Sequence, residues 1–263
     1  MKVLDNLDDY LRSRFSSGVH AIKPRVILGR IERLNLADHS LSLPFPPSTL
    51  GSIPVFDALI LLAILKLVQP KRILEFGTFL GYSTRILLEN SGMDCEVTSI
   101  DLPHGAVSGE VSLSVSETEL HLNAASNDDY LRELQFQKGA RYLSSLSPEL
   151  RARLKLIKAD SRTLGLDYLR ERLGGSCDLI FIDGGHDLQT IASDTSLALG
   201  LASENATVIW HDYGSTIHQE VTEFVDRLAR SRRIVTVSGS LIAMCHVGRD
   251  PLADSHSNRD DSN

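Results

Sequence analysis

From residue 71 onward, short apolar runs alternate with amphipathic helical patterns. Five of the runs have the length of buried strands: Ile73–Phe76, Val97–Ile100, Leu154–Lys158, Leu179–Ile182 and Val208–Trp210. Apolar residues at helical spacing separate most of them, as in the segment that begins at Leu188. Strands that alternate with helices are typical of a parallel sheet covered on both faces.

The last apolar stretch, RIVTVSGSLIAMCHV, has a different pattern. Its two strand-like halves are separated only by Ser238-Gly239-Ser240, with no helix between them, which is typical of a hairpin. We therefore predict an α/β fold, in which a doubly wound, mostly parallel seven-stranded sheet ends in an antiparallel hairpin.

Two polar regions interrupt the alternation. Residues 104–147 form a long insertion, from which we expect a lid or a subunit contact. Residues 249–263 lack apolar residues that could fold, and we expect them to be disordered. The predicted organisation is an N-terminal helical segment and linker (1–53), a main domain (54–248) and this tail.

Composition indicates the cellular compartment of the protein and excludes some classes of binding partner. A formal net charge of −7 over 263 residues argues against a nucleic-acid surface, and three scattered cysteines in apolar runs predict reduced, buried thiols in a cytoplasmic protein. The most apolar run, Ala58–Leu65, is far shorter than the roughly 20 residues of a membrane span. We expect no contact with nucleic acid or membrane. The amphipathic segment VLDNLDDYLRSRF often indicates packing on a partner subunit, so a homodimer is left open.

A glycine-rich turn, Glu75-Phe-Gly77-Thr-Phe79-Leu-Gly81, joins the first of the five strands to a helix. Backbone N–H groups point outward at such a turn, which is the usual seat of a nucleotide-like cofactor. A nicotinamide dinucleotide requires G-x-G-x-x-G, and Phe79 stands where the middle glycine would allow the pyrophosphate to approach. The turn therefore disfavours a dinucleotide, and a tight bend without any ligand is the alternative.

Polar residues follow the second and third strands. Asp101 ends the second strand about 20 residues after the glycine turn, where a carboxylate can accept both hydroxyls of a ribose. A solvated strand end or a helix cap is the alternative for this residue. Asp160 and Ser161 end the third strand, where they could contact a ligand or cap a helix.

The fourth and fifth strands also end in residues with acid–base or metal-binding capacity. Asp183 follows the fourth strand, and His186 comes three residues later. His211 and Asp212 follow the fifth strand. Because parallel strands place their carboxyl ends at one edge, we expect these four side chains in one crevice. A helix-start role for His186 and a packed structural role for His211 remain alternatives.

These motifs resemble those of a known family. The pattern E-x-G-x-x-x-G resembles the first motif of class I S-adenosylmethionine-dependent methyltransferases. The stretch from FIDGGHDLQ to WHDYG is similar to the methyltransferase 24 family and to macrocin-type O-methyltransferases. The resemblance covers about residues 70–246. It implies a Rossmann-like methyltransferase fold, with S-adenosylmethionine bound by the main domain.

The resemblance also implies roles for individual residues. Asp183 and Asp212 would hold a divalent cation, Mg²⁺ or Mn²⁺, with His211 as a further candidate ligand. Histidine suits zinc, iron or manganese better than magnesium, so this residue leaves the metal open. His186 would be the catalytic base beside Asp183. The cofactor residues would be Glu75, Gly77, Thr78, Gly81, Tyr82, Ser83, Asp101, Asp160 and Ser161. Among them, Glu75 would help to orient the cofactor's ammonium, and Asp160 and Ser161 would lie at its adenine.

The expected activity is therefore methyl transfer from S-adenosylmethionine to a hydroxyl of a small molecule, assisted by a divalent metal. One alternative is a metal-independent N- or O-methyltransferase with a histidine base, and another is a non-catalytic S-adenosylmethionine-binding protein. A nicotinamide-dependent oxidoreductase is a third, against which Phe79 argues. The sequence does not indicate the acceptor.

Overall fold

The computed structural model describes residues 2–4, 18–36, 40–47, 51–103 and 124–247. Within these residues the strands are β1 (Lys2–Leu4), β2 (Gly18–Ile22), β3 (Arg72–Phe76), β4 (Glu96–Asp101), β5 (Leu154–Lys158), β6 (Cys177–Ile182), β7 (Ala202–Trp210), β8 (Arg233–Val237) and β9 (Ala243–His246). The α-helices are α1 (Pro24–Arg33), α2 (Val55–Val68), α3 (Tyr82–Asn90), α4 (Ala124–Lys138), α5 (Pro148–Ala152), α6 (Leu166–Leu173), α7 (Leu188–Leu201) and α8 (Gln219–Leu228).

The described strands form one sheet in the order β1-β2-β8-β9-β7-β6-β3-β4-β5. Every pairing is parallel except those of β9, which runs antiparallel to both β7 and β8. The predicted doubly wound sheet and its terminal hairpin are thus confirmed. From β3 the chain moves outward to β4 and β5, then returns to β6 on the other side of β3. Ligands of such sheets bind at this reversal, beyond the carboxyl ends of the strands.

The sheet has more strands than the seven predicted, because β1 and β2 extend it at one edge. The prediction of a helical segment over residues 1–53 is therefore wrong for the strand Gly18–Ile22, which pairs along its length with β8. Ala21 and Ile22 are buried there. An added strand satisfies backbone groups that would otherwise remain unpaired at the edge of β8. The predicted disordered tail, residues 249–263, lies outside the described residues.

Apolar clusters cover the two faces of the sheet. Helices α1, α2 and α3 pack on one face, and α6, α7 and α8 pack on the other. Neighbouring residues of β3 point to opposite clusters, Ile73 to the first and Leu74 to the second. Because both faces are covered, the central strands hold their carboxyl ends in fixed positions.

Two expectations from composition can be compared with this core. The three cysteines are buried and unpaired, as predicted. Among the described helices, none combines the length and the apolar character needed to cross a bilayer.

Candidate active site

A cavity of about 320 Å³ lies beyond the carboxyl ends of the central strands. The glycine turn after β3 and the residues that follow β4, β5, β6 and β7 all contribute to its wall. The predicted site residues that line it are Gly77, Asp101, Asp160, Ser161, Asp183, His186, His211 and Asp212. The strand-end rule thus brings together residues that are up to 135 positions apart in the chain, from Gly77 to Asp212.

The glycine turn is shaped by close packing against the end of β6. Gly77 has a φ of 98°, and a Cβ on it would overlap the carbonyl group of Asp183. Glycine is therefore required here both for its left-handed backbone and for the approach of the two strand ends. Gly81, with a φ of 82°, is the N-cap of α3. Phe79 lines the cavity and is itself left-handed, with a φ of 45°.

Five of the predicted cofactor residues do not line the cavity: Glu75, Thr78, Gly81, Tyr82 and Ser83. The Glu75 side chain is fully buried, and the Thr84 hydroxyl donates to it at 2.5 Å. Burial raises the pKa of Glu75 to about 7. The hydroxyl groups of Thr78 and Ser99 lie 2.7 Å apart, and Tyr82 donates to the carbonyl of Pro44. These hydrogen bonds hold Glu75, Thr78 and Tyr82 in place around the turn.

Asp101 occupies the position expected of a ribose-binding carboxylate. It ends β4 at the cavity wall, where its Oδ2 lies 2.9 Å from Lys158 Nζ. The side-chain amide of Gln135 also donates to Oδ2 and reaches the carbonyl of Phe79 at 3.3 Å. Gln135 belongs to α4, so this helix of the polar insertion lies directly over the predicted cofactor site.

Asp160 takes the capping role that the sequence left open. Its Oδ1 accepts from the backbone N–H of Arg162 at 3.0 Å, at the start of a short 3₁₀ turn over Ser161–Thr163. The guanidinium of Arg162 contacts both carboxylate oxygens, with Nε 2.9 Å from Oδ1 and Nη2 2.6 Å from Oδ2. This side-chain hydrogen bond holds the pKa of Asp160 below its usual value.

His211 is buried among three carboxylates. Its Nε2 lies 3.0 Å from Asp57 Oδ2, and its Nδ1 lies 3.0 Å from Asp183 Oδ1 and 3.1 Å from Asp212 Oδ2. Burial by itself lowers the pKa of His211, but the charges of Asp212 and Asp183 outweigh burial and raise the pKa well above its usual value. The histidine is therefore an imidazolium that connects the site to α2, where Asp57 also accepts from the backbone N–H of Leu241.

His186 lies between the carboxylates of Asp128 and Asp212. Its Nδ1 is 2.8 Å from Asp128 Oδ1, and its Nε2 is 3.2 Å from Asp212 Oδ2. Burial opposes protonation, but the hydrogen bonds to Asp128 and Asp212 prevail and raise the pKa of His186 to about 10. The ring of His218 stacks on it at 3.6 Å between centroids. Burial and the nearby charge of His186 lower the pKa of His218.

Two groups of side chains in the described part of the chain have the arrangement of metal ligands. In one, single ligand atoms of Asp183, His186 and Asp212 all lie within 4.8 Å of one another, and in the other those of Asp128, His186 and His218 do. Two carboxylates and an imidazole suit a divalent cation such as manganese, iron or zinc. His211, whose two nitrogens already face carboxylates, belongs to neither group.

Several residues of this site were not identified from the sequence: Asp57, Asp128, Gln135, Asp194 and His218 all line or support the cavity. Asp57 contacts His211 across 154 positions of sequence, and Asp128 contacts His186 across 58. A local pattern carries no signal for such pairs. The one available signal was Asp57, a carboxylate in the first turn of a helix whose other charged residue, Lys66, lies in the last turn.

Comparison with known proteins gives a family match. The model of the methyltransferase 24 family, described as a methyltransferase domain, matches residues 74–213. This segment includes the glycine turn and every cavity-lining residue that the sequence predicted for the cofactor, base and metal sites. A search of curated proteins gives no match.

Solved structures resemble the fold at low sequence identity. A protein from Staphylococcus aureus described as a caffeoyl-CoA O-methyltransferase is 14% identical, with a TM-score of 0.50 over 84% of this chain and 100% of that one. The O-methyltransferase TomG from Streptomyces achromogenes, solved with SAM, is 16% identical, with a TM-score of 0.46 over 93% and 97%. The SAH-bound methyltransferase PaMTH1 from Podospora anserina is 16% identical, with a TM-score of 0.48 over 92% and 94%.

Proposed function

The chain belongs to the methyltransferase 24 family of class I S-adenosylmethionine-dependent methyltransferases, and on this premise we propose that it methylates a hydroxyl of a small molecule. The observation that carries the proposal is the meeting of Asp183, His186 and Asp212 in the cavity that also contains Asp101 and the glycine turn. Binding of the cofactor alone would not require an imidazole and two carboxylates beside it.

The cofactor residues follow from the position of each group. The carboxylate of Asp101 would accept hydrogen bonds from the ribose hydroxyls, which would replace the amide of Gln135 as donors. The backbone N–H groups of Gly77 and Gly81 already donate to the carbonyls of Ile100 and Thr78. The other N–H groups of the turn, up to Tyr82, would therefore meet the carboxylate of the cofactor's amino-acid part. The buried Glu75 side chain would act indirectly, by fixing the turn through Thr84. Transfer from a sulfonium is an in-line displacement, so positioning supplies much of the rate.

We assign the general base to His186. In the present arrangement it is an imidazolium between Asp128 and Asp212, and it can accept a proton only after it has given one up. Asp128 belongs to α4, the helix over the cavity, so an acceptor that displaces Asp128 would let this residue leave as a carboxylic acid with the Nδ1 proton, which leaves a neutral ring with an unprotonated Nδ1. An acceptor hydroxyl bound there would lose its proton to the ring.

Asp183 and Asp212 are the residues that would hold a divalent cation. The cation would lower the pKa of a bound hydroxyl and orient it. Their oxygens meet at one nitrogen of His211, which shows that the two side chains already point to a common place. The same observation favours a second candidate, a metal-independent transfer, because the His211 imidazolium neutralises the two carboxylates without a metal.

The test is a methyl-transfer assay that measures release of S-adenosylhomocysteine from S-adenosylmethionine with a panel of catechols, phenols and sugar derivatives. We expect turnover that EDTA abolishes and Mn²⁺ or Mg²⁺ restores. Turnover that persists in EDTA supports the metal-independent candidate. If the cofactor binds and none of the panel is methylated, the result favours a non-catalytic binding protein.

The base is tested in the same assay with His186→Gln. We expect the rate to fall about 10²–10⁴-fold, the usual contribution of a general base. Affinity for S-adenosylhomocysteine should stay within a factor of about three, since the imidazole acts on the acceptor. His246→Gln is the matched control, because this histidine lies on β9 and its Nδ1 is paired with Thr207. A His186→Gln enzyme with unchanged turnover would refute the assignment.

A further inference from the structure

The residue that recognises the adenine of the cofactor has not yet been assigned. The inference below concerns this residue and rests on the proposed function. If Asp101 holds the ribose, the adenine extends toward the end of β5, where the sequence placed Asp160. Both oxygens of Asp160 are engaged by the guanidinium of Arg162, and one also accepts from a backbone N–H. This carboxylate is therefore poorly placed to accept a hydrogen bond from adenine.

A second carboxylate lies at the same end of the cavity. Asp194, on α7, lines the cavity wall while its residue is only 1% exposed. Its Oδ1 is buried and has no hydrogen-bond partner among the residues that the structure describes. A buried polar atom without a partner is costly, so such atoms are normally satisfied by water, an ion or a ligand.

The Asp194 side chain lies against the segments that follow β6 and β5. Gly184, which follows β6, has no side chain, and a Cβ placed there would lie 3.4 Å from Asp194 Oδ2. On the other side, α7 packs against the short turn Ser161–Thr163. Burial, opposed by a hydrogen bond from Ser161, raises the pKa of Asp194 to about 6. The acid is thus adjacent to both strand ends that border the predicted adenine position.

We propose that Asp194 recognises the cofactor's adenine by accepting a hydrogen bond from its 6-amino group. Adenine presents an amino donor beside the N1 acceptor. A carboxylate can satisfy the donor, and a protonated carboxyl can satisfy both atoms. Asp194 is then a specificity-determining residue of the cofactor site, and Asp160 acts only by fixing the turn beside it.

The test compares two ligands by calorimetry: S-adenosylhomocysteine and its analogue in which hydrogen replaces the 6-amino group. A site built to bond an amino group discriminates strongly against a ligand that lacks it. We expect the wild-type protein to bind S-adenosylhomocysteine at least about 10-fold more tightly. In Asp194→Ala the two ligands should bind within about 2-fold of each other, while Asp194→Asn, whose amide oxygen still accepts, should retain most of the preference.

Asp160→Asn is the matched control, since asparagine also caps helices, and it should keep the wild-type preference. Loss of the preference in Asp160→Asn but not in Asp194→Ala would overturn the proposal, as would equal binding of the two ligands by the wild type. If Asp194→Ala does not fold, the affinities of the wild type for the two ligands still test the proposal. Failure of the wild type to bind S-adenosylhomocysteine at all would instead refute the proposed function.

Discussion

At Glu75, one carboxylate is buried without a charged partner beneath the glycine turn. Thr84 donates to Oε2, whereas Oε1 has no partner among the described residues. Burial raises its pKa from 4.5 to about 7. Between these values the folded protein binds the proton more tightly than the unfolded chain does. Stability is therefore highest below pH 4.5 with respect to this group, and it is lost as the pH rises toward 7.

Glu75→Gln should remove this pH dependence, because glutamine is neutral and keeps the acceptor for Thr84. The variant should match the wild type at pH 4 and exceed it at pH 8, by about 3 kcal/mol at most for a shift of this size. Urea unfolding at both pH values measures the difference. Glu96→Gln, at an exposed end of β4, is the control, and a variant equally stable or less stable than wild type at pH 8 would contradict the burial argument.

Single residues also show how far a sequence can predict a site. Asp101, Asp183, His186 and Asp212 were found because each follows a strand, and parallel strands end at one edge. The direction in which a side chain points was harder to predict. Glu75 was expected near the cofactor's ammonium, but alternation along β3 points it to the opposite side of the sheet from Phe76, into the packing of α3.

At the scale of elements, α4 changes the interpretation of the polar insertion. The insertion was predicted as a lid or a subunit contact, and its described part includes a 15-residue helix beside the cavity. Leu131 of this helix packs on Gly51, and Gln135 contacts Asp101. The helix was not predicted, because its segment AASNDDYLRELQFQK contains few apolar residues. Residues 104–123 lie outside the described part.

We expect Leu131→Ala to weaken the contact of α4 with Gly51 and to speed the release of S-adenosylhomocysteine. Loss of this partly buried side chain should cost about 1.4 kcal/mol, which corresponds to about 10-fold in the dissociation rate. Stopped-flow competition measures the rate. Gln137→Ala, at an exposed position of the same helix, should leave it unchanged. Equal rates in all three proteins would show that α4 does not cover the bound cofactor.

At the scale of the whole molecule, the order of the central strands followed from the sequence, but the extent of the sheet did not. Alternation of strands and helices is a local signal, and the terminal hairpin has a short loop. The pairing of Gly18–Ile22 with Arg233–Val237 joins segments more than 200 residues apart. Neither segment contains information on its partner, so the N-terminal strands could not be assigned to this sheet.

The same whole-molecule arrangement explains why the site lies where it does. Strands β3 and β6 are neighbours in space, although 100 residues, including β4 and β5, lie between Phe76 and Cys177 in the chain. Their ends bring Gly77 against Asp183, so the glycine turn and one of the two carboxylates proposed to bind the metal share one wall. We thus propose that one cavity contains both the cofactor and the reacting groups.

The most direct test of that claim is calorimetric titration of the wild-type protein, Asp101→Ala and Glu96→Ala with S-adenosylhomocysteine. Glu96 stands at the other end of β4 and pairs with Lys155 as Asp101 pairs with Lys158. We predict micromolar binding by the wild type and Glu96→Ala. Asp101→Ala should bind at least about 30-fold more weakly, because hydrogen bonds to a charged group contribute about 1.5–3 kcal/mol each. Equal affinity in all three proteins, or no binding by the wild type, would show that the cofactor does not bind at Asp101.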